Sequence, residues 1–103
     1  MAAFPLRAVY MKSERLDRQP PVQVLISVPK KYFKHAVDRN RVKRQLREAY
    51  RHRKPMLTEA LPSDQMIAIA FVWISSQHLP SAAVDGRMKS LLERIVKRCN
   101  AAE

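Results

Sequence analysis

Cysteine and glycine are scarce in this chain, and each scarcity excludes a class of site. The single cysteine, Cys99, has no second cysteine with which to form an internal disulfide. With one glycine, Gly86, among 103 residues, the chain lacks the glycine-rich loops that bind nucleotide phosphates. Its three histidines lie far apart, and no zinc-ligand spacing is present. We therefore expect no metal site and no cofactor bound by the protein alone.

Long apolar runs and paired carboxylates are also missing. No stretch approaches the roughly 18 to 20 consecutive apolar residues of a membrane helix, and the N-terminus has no apolar secretory core. The nine Asp or Glu form no paired constellation of the kind that acid–base hydrolysis needs. The sequence therefore predicts a cytoplasmic protein with no membrane partner and no catalytic residues of its own.

Positive charge is what the chain has in excess, and most of it lies in one segment. Residues 30–54 hold eleven Lys or Arg against two acids, whereas the whole chain has a formal net charge of +11. Such a segment repels itself unless a polyanion relieves the repulsion, so nucleic acid is the indicated partner. Tyr32 and Phe33 lie within it, and they would either stack on unpaired bases or pack against the edge of the sheet.

Hydrophobic periodicity predicts three strands and two helices, in the order strand, strand, helix, strand, helix. The predicted strands are Phe4–Met11, Val22–Val28 and Met66–Trp73. The last of these is a continuous apolar run, which indicates a buried central strand. Asp38 is the N-cap candidate of the first helix, Pro55 ends that helix, and Ser81 caps the second. We predict one domain, residues 1–103, with an α+β fold: a two-layer α/β sandwich with the sheet on one side and helices on the other.

Both predicted helices are amphipathic. The apolar stripes that we expect to face the core are Val42, Leu46, Ala49 and Tyr50 in the first helix, and Val84, Met88, Leu91, Leu92, Ile95, Val96 and Cys99 in the second. The opposite side of the first helix is cationic, and Arg outnumbers Lys there five to one between positions 39 and 51. The planar fork of Arg suits bidentate contacts with phosphate. A membrane-surface helix would instead need Trp, Phe or Leu exposed on the side opposite its charges, whereas the narrow apolar stripe of this helix is needed for the core.

The order of residues within the cationic segment is more specific than its charge. Ala36-Val37-x-Arg39-Asn40-Arg41-Val42-Lys43-Arg44-x-x-Arg47-Glu48 closely resembles the signature of the bacterial ribonuclease P protein family, and the strands and closing helix around it fall in that family's order. The resemblance implies a left-handed βαβ crossover, against the usual right-handed rule. Members of the family also carry an N-terminal helix. Because this chain begins almost at its first strand, we expect that helix to be missing and the domain to be N-terminally shortened.

The resemblance implies the protein subunit of a ribonucleoprotein endoribonuclease. In that family the protein assists a catalytic RNA in removing the 5′ leader from precursor tRNA, and magnesium acts through the RNA subunit. The implied partners are the ribonuclease P RNA and precursor tRNA. Tyr10 is the candidate aromatic residue of the family's leader-binding cleft. The candidate RNA-binding residues are Lys30, Lys31, Lys34, Arg39, Asn40, Arg41, Lys43, Arg44, Arg47 and Arg51.

A ribosomal or general RNA-binding protein, with no role in tRNA processing, is the main alternative. Such a protein would share the charge and the fold, and only the Arg39-Asn40-Arg41 motif argues against it. A helix-turn-helix transcription factor is disfavoured because the chain has too few helices. Without the N-terminal helix, an exposed apolar face would also favour weak self-association.

Overall fold

The computed structural model describes residues 1–14, 20–61 and 64–101, and it confirms the predicted order of elements with one short strand added. The elements are β1 (Ala2–Ala3), β2 (Leu6–Glu14), β3 (Val22–Ser27), α1 (Ala36–Ala60), β4 (Gln65–Trp73) and α2 (Ser81–Ala101). The strands form a four-stranded sheet in the order β1-β2-β4-β3. The predicted α+β class is therefore confirmed.

β4 is the strand that joins the two halves of the sheet. It runs antiparallel to β2, with Ile69 opposite Tyr10, and parallel to β3, with Ile69 opposite Val24. α1 therefore connects two neighbouring parallel strands. The left-handed course of this connection stays a prediction.

Both helices pack on the same side of the sheet, where they form the core. The buried residues on this side include Ile67, Ile69, Phe71 and Trp73 from β4, Val42, Leu46 and Ala49 from α1, and Val84, Met88, Leu91, Leu92, Ile95 and Cys99 from α2. These residues match the predicted apolar stripes, and Tyr50 and Val96 are partly buried against them. Neither helix of the described residues has an apolar stretch long enough to cross a membrane.

The first predicted strand begins too early. β2 starts at Leu6, and Phe4 lies in the turn that precedes it, where it is 67% exposed. Because β1 pairs antiparallel with β2, with Ala3 opposite Leu6, the chain must reverse direction at Phe4 and Pro5. The apolar alternation runs unbroken through Phe4, so periodicity alone did not mark this turn.

The prediction that Asp38 is the N-cap of the first helix is wrong. The helix begins at Ala36, and the N-cap position is occupied by His35, whose side chain makes no capping hydrogen bond. Asp38 lies in the first turn, and its Oδ1 is 3.1 Å from Nε2 of His78. Asp38 is therefore not the N-cap, because its carboxylate contacts a distant loop and not the backbone N–H groups of its own helix.

The prediction that Pro55 ends the first helix is wrong, because α1 continues past Pro55 to Ala60. A proline inside a helix removes one backbone hydrogen bond. The following turn is nevertheless held by Leu57, which is fully buried in the core. The hydroxyl of Thr58 also lies 3.3 Å from the carbonyl oxygen of Lys54 and 3.2 Å from that of Pro55. Tertiary packing therefore outweighs the local preference to stop.

α2 begins at Ser81 and is not capped by its side chain. The carbonyl of Pro80 accepts hydrogen bonds from the N–H groups of Ala83 and Val84, at 3.0 and 3.1 Å, so Ser81 is the first helical residue. Its Oγ instead accepts a hydrogen bond of 3.2 Å from the side-chain amide of Gln45. Ser81 thus contributes to the contact between the two helices.

Candidate nucleic-acid interface

The exposed side of α1 carries a continuous polar stripe dominated by arginine. Asn40, Arg44, Arg47 and Arg51 are exposed and recur at i, i+4, i+7 and i+11. On a helix of 3.6 residues per turn these positions lie almost in line, over a length of about 16 Å. The buried residues of α1 lie on the opposite side, so packing against the sheet presents the stripe to solvent.

Arg41 and Lys43 flank this stripe, and the cations from 41 to 47 have no acidic partner. Among the described residues, no carboxylate lies within 4.0 Å of them. Arg51 has only a marginal partner, because its Nη2 is 4.0 Å from Oε1 of Glu48 on the exposed surface. The repulsion between these cations is therefore little compensated within the described residues, and the phosphates of a polyanion would relieve it.

The loop between β3 and α1 extends the cationic surface. Lys30, Lys31 and Lys34 are exposed. The loop is shaped by a turn in which the N–H of Tyr32 donates to the carbonyl of Pro29, at 3.2 Å. Three further cations therefore lie in the segment that leads directly into the arginine stripe.

The two aromatic residues of this loop pack against the protein. Phe33 is 7% exposed and belongs to the core. Tyr32 is partly buried against the core, and Nζ of Lys31 lies 5.0 Å from the centroid of its ring, which is a cation–π distance. Of the two alternatives from the sequence, packing is thus confirmed for Phe33.

Arg39 differs from the arginines of the stripe because its guanidinium is hydrogen-bonded to backbone carbonyls of the protein. One η nitrogen donates to the backbone carbonyls of Phe33 and Lys34, at 2.9 Å in each case. Arg39 therefore fixes the lysine-bearing loop to the first turn of α1. Only its remaining N–H groups can be offered to a nucleic acid.

Two residues that the sequence did not single out support this surface. The ring of His78 stacks on Phe33, with centroids 4.6 Å apart, and its Nε2 contacts Asp38. Gln45 donates to the carbonyl of Leu79, at 2.9 Å. These hydrogen bonds join residues 40 and 34 positions apart, respectively. No local periodicity signals contacts of such separation.

A bidentate ion pair links the two helices. Nη2 of Arg53 is 2.6 Å from Oδ2 of Asp85, and its Nε is 3.4 Å from Oδ1. Burial raises the pKa of Tyr50, so its phenol stays protonated. In the ion pair, the hydrogen bond from Arg53 holds the pKa of Asp85 below its ordinary value, and Asp85 raises the pKa of Arg53. The charge of Arg53 is compensated by Asp85 and therefore adds little to the arginine stripe.

The described residues offer no cluster suited to a metal ion. No three His, Cys, Asp or Glu side chains among them lie close enough to share one. Asp38 and Asp85 are held by His78 and Arg53, and Cys99 is buried. What the surface does provide is a set of cations and amide groups, whose chemistry is phosphate binding.

The side of the sheet opposite the helices forms an open apolar groove. Val9 and Met11 from β2 are 53% and 70% exposed, and Leu25 from β3 is 65% exposed. They flank Ala68 and Ala70 of β4, whose short side chains form the floor of the groove. An exposed apolar surface of this kind commonly marks an interaction site.

Tyr10 lies on the other side of β2 from this groove. It alternates with the exposed Val9 and Met11, pairs with the buried Ile69 and packs partly buried against the core. The predicted cleft residue therefore faces the helices, and the large apolar side chains that are exposed in the groove, Val9, Met11 and Leu25, are not aromatic.

Comparison with known proteins gives a consistent result. The family model described as Ribonuclease P matches residues 3–96. A ribonuclease P protein component from Porphyromonas gingivalis is 44% identical over 93 residues, which cover 89% of this chain and 67% of that protein. A protein of the same name from Chlorobaculum tepidum is 43% identical over 75 residues, covering 66% of this chain and 49% of the relative. The chain thus spans about two thirds of the first relative and about half of the second.

Proposed function

The chain belongs to the ribonuclease P protein family, and we infer that it is a protein subunit of the ribonucleoprotein endoribonuclease that acts in tRNA processing. Its partner is the RNA subunit of ribonuclease P. The matched range, residues 3–96, includes both the arginine stripe of α1 and the lysine-bearing loop before it. The role of this chain within the assembly is therefore to bind RNA.

The observation that supports this role most directly is the exposed cationic surface formed by α1 and by the lysine-bearing loop before it. The cations from Arg41 to Arg47 have no carboxylate within 4.0 Å among the described residues. Arginine in such a setting binds phosphate oxygens by charge-assisted hydrogen bonds. We propose that this surface binds the catalytic RNA and lowers the repulsion between that RNA and its RNA substrate.

The hydrolysis itself is proposed to belong to the RNA subunit, with magnesium bound through that RNA. The family resemblance supports this division of roles. The described residues do not fit a metal site, because they contain no cluster of His, Cys, Asp or Glu. No step of the proposal therefore uses an ion bound by the protein.

Precursor tRNA is the proposed substrate, and its single-stranded leader is proposed to lie along the open groove of the sheet. Bases could pack on Val9, Met11 and Leu25, which are exposed there. Arg7, exposed on the same side of β2 and paired with Val72, could contact a leader phosphate. Tyr10 would then support the groove from the core side. A cytoplasmic location is proposed because a bacterial tRNA precursor is made there.

General RNA binding is distinguished from this function by the choice of RNA. Salt dependence alone does not separate them, because any phosphate contact is salt-dependent. The affinity of the chain should be measured at fixed ionic strength for ribonuclease P RNA and for a folded ribosomal RNA fragment of matched length. We expect clearly tighter binding to ribonuclease P RNA. Equal affinities would contradict the proposal and favour a general RNA-binding protein.

A further inference from the structure

His78 connects two parts of the RNA-binding surface from outside it. It lies in the loop between β4 and α2, 40 residues beyond Asp38. Its ring stacks on Phe33, with centroids 4.6 Å apart and planes inclined by 20°. Phe33 lies between the exposed Lys31 and Lys34 in the sequence of the loop. Its stacking on His78 therefore fixes the loop to the protein on the buried side.

The second contact of His78 reaches the start of α1. Its Nε2 lies 3.1 Å from Oδ1 of Asp38, which directly precedes the Arg39-Asn40-Arg41 triplet. The first turn of this helix has no side-chain cap. A bond from a neighbouring loop therefore contributes order where the helix would otherwise fray.

The contact with Asp38 assigns a hydrogen-bond role to one ring nitrogen of His78. Nε2 donates a ring proton to the carboxylate oxygen of Asp38, at 3.1 Å. Nδ1 is buried and has no hydrogen-bond partner among the described residues. His78 is therefore a hydrogen-bond donor to the first turn of α1.

We propose that His78 is a positioning residue for RNA binding, which holds the lysine-bearing loop and the first turn of α1 in one fixed arrangement. This inference rests on the proposed function, because the arranged groups are those assigned to RNA. Arg39 completes the junction from the helix side through its bonds to the carbonyls of Phe33 and Lys34. Without His78, RNA binding would have to order both segments, and the cost of that ordering would lower the affinity.

The test compares His78→Ala and His78→Gln with the unaltered chain, in binding to ribonuclease P RNA over a series of salt concentrations. His78→Ala should weaken binding roughly three- to tenfold, the loss of about one hydrogen bond. The slope of affinity against salt should not change, because no phosphate contact is removed. His78→Gln keeps an N–H donor of similar reach and should recover part of the affinity.

Asp85→Ala is the matched control, because it also breaks a hydrogen-bonded pair to α1, the one with Arg53, but outside the proposed interface. It should lower thermal stability and should not weaken RNA binding, because the loss of one carboxylate beside α1 raises the positive charge of the chain. Hydrogen exchange should rise in residues 31–41 of His78→Ala and remain at its original level there in Asp85→Ala.

Three results separate the claims. If the unaltered chain does not prefer ribonuclease P RNA, the proposed function fails and this inference fails with it. If the unaltered chain binds selectively and both His78 variants bind as tightly, only the positioning role is overturned. An equal loss of affinity in Asp85→Ala would also overturn it, because the effect would then follow from stability alone.

Discussion

Arg39 and Arg44 belong to the same motif, and their surroundings assign them different roles. Arg39 is bonded to two loop carbonyls, whereas Arg44 is exposed on the stripe and has no carboxylate within 4.0 Å among the described residues. Truncation of Arg39 should therefore disturb the loop as well as any RNA contact. The motif by itself made no distinction between the two, because both are arginines of one short segment.

Arg44→Ala should weaken binding to ribonuclease P RNA and lower the salt dependence of that binding by about one unit of slope, since one phosphate contact is lost. Thermal stability should hardly change, because the side chain is exposed. Arg98→Ala removes an exposed arginine from α2 and is the matched control. Equal losses in the two variants would mean that only total charge matters and that the stripe is not a specific surface.

Asp85→Asn tests the ion pair that links the helices. The pKa of Asp85 in the folded chain lies below its ordinary value of about 4, so the pair contributes stability above that pH and loses it as the pH falls through the folded value. The variant should therefore melt below the unaltered chain near neutral pH, and the difference should shrink in acid below about pH 4. Melting curves followed by circular dichroism measure this. A difference that stays constant with pH would contradict the assignment.

The positions of the helices and strands were predicted from the sequence where a short-range apolar pattern determines them. The apolar run of β4 and the stripe of α2 specify their own positions, because each must bury a continuous apolar surface. Failures occurred where distant contacts decide the outcome. α1 continues beyond Pro55 because Leu57 is buried in the core. Asp38 does not cap α1 because its carboxylate is hydrogen-bonded to His78, 40 residues away. Whether Phe33 packs or is exposed, which the sequence left open, also depends on tertiary structure, and so does the direction in which Tyr10 faces.

Pro55→Ala should raise the free energy of unfolding by about 1 to 3 kcal/mol, because alanine restores a helical hydrogen bond and removes the clash of the proline ring. Urea unfolding measures the change. Gly86→Ala in α2 is the reference variant for this measurement, because a Cβ at this position meets no atom within 4 Å. Its free energy of unfolding should rise by about 0.5 to 1 kcal/mol. A loss of stability in Pro55→Ala alongside a gain in Gly86→Ala would show that α1 needs the proline.

At the scale of the whole molecule, the two layers separate the surfaces proposed for the two RNAs. The helical layer presents the cationic stripe, and the opposite side of the sheet presents the apolar groove lined by Val9, Met11 and Leu25. One small domain could therefore contact a catalytic RNA and a single-stranded leader at the same time. Weak self-association through the groove stays a prediction, and the net charge of +11 opposes it at low salt.

The proposed role in leader removal is tested most directly by the cleavage of a 5′-extended precursor tRNA by a bacterial ribonuclease P RNA at low magnesium, with and without this chain. We expect strong stimulation by the unaltered chain and by Arg98→Ala, and reduced stimulation by Arg44→Ala. Absence of stimulation at concentrations that saturate the RNA would contradict the proposed role in leader removal.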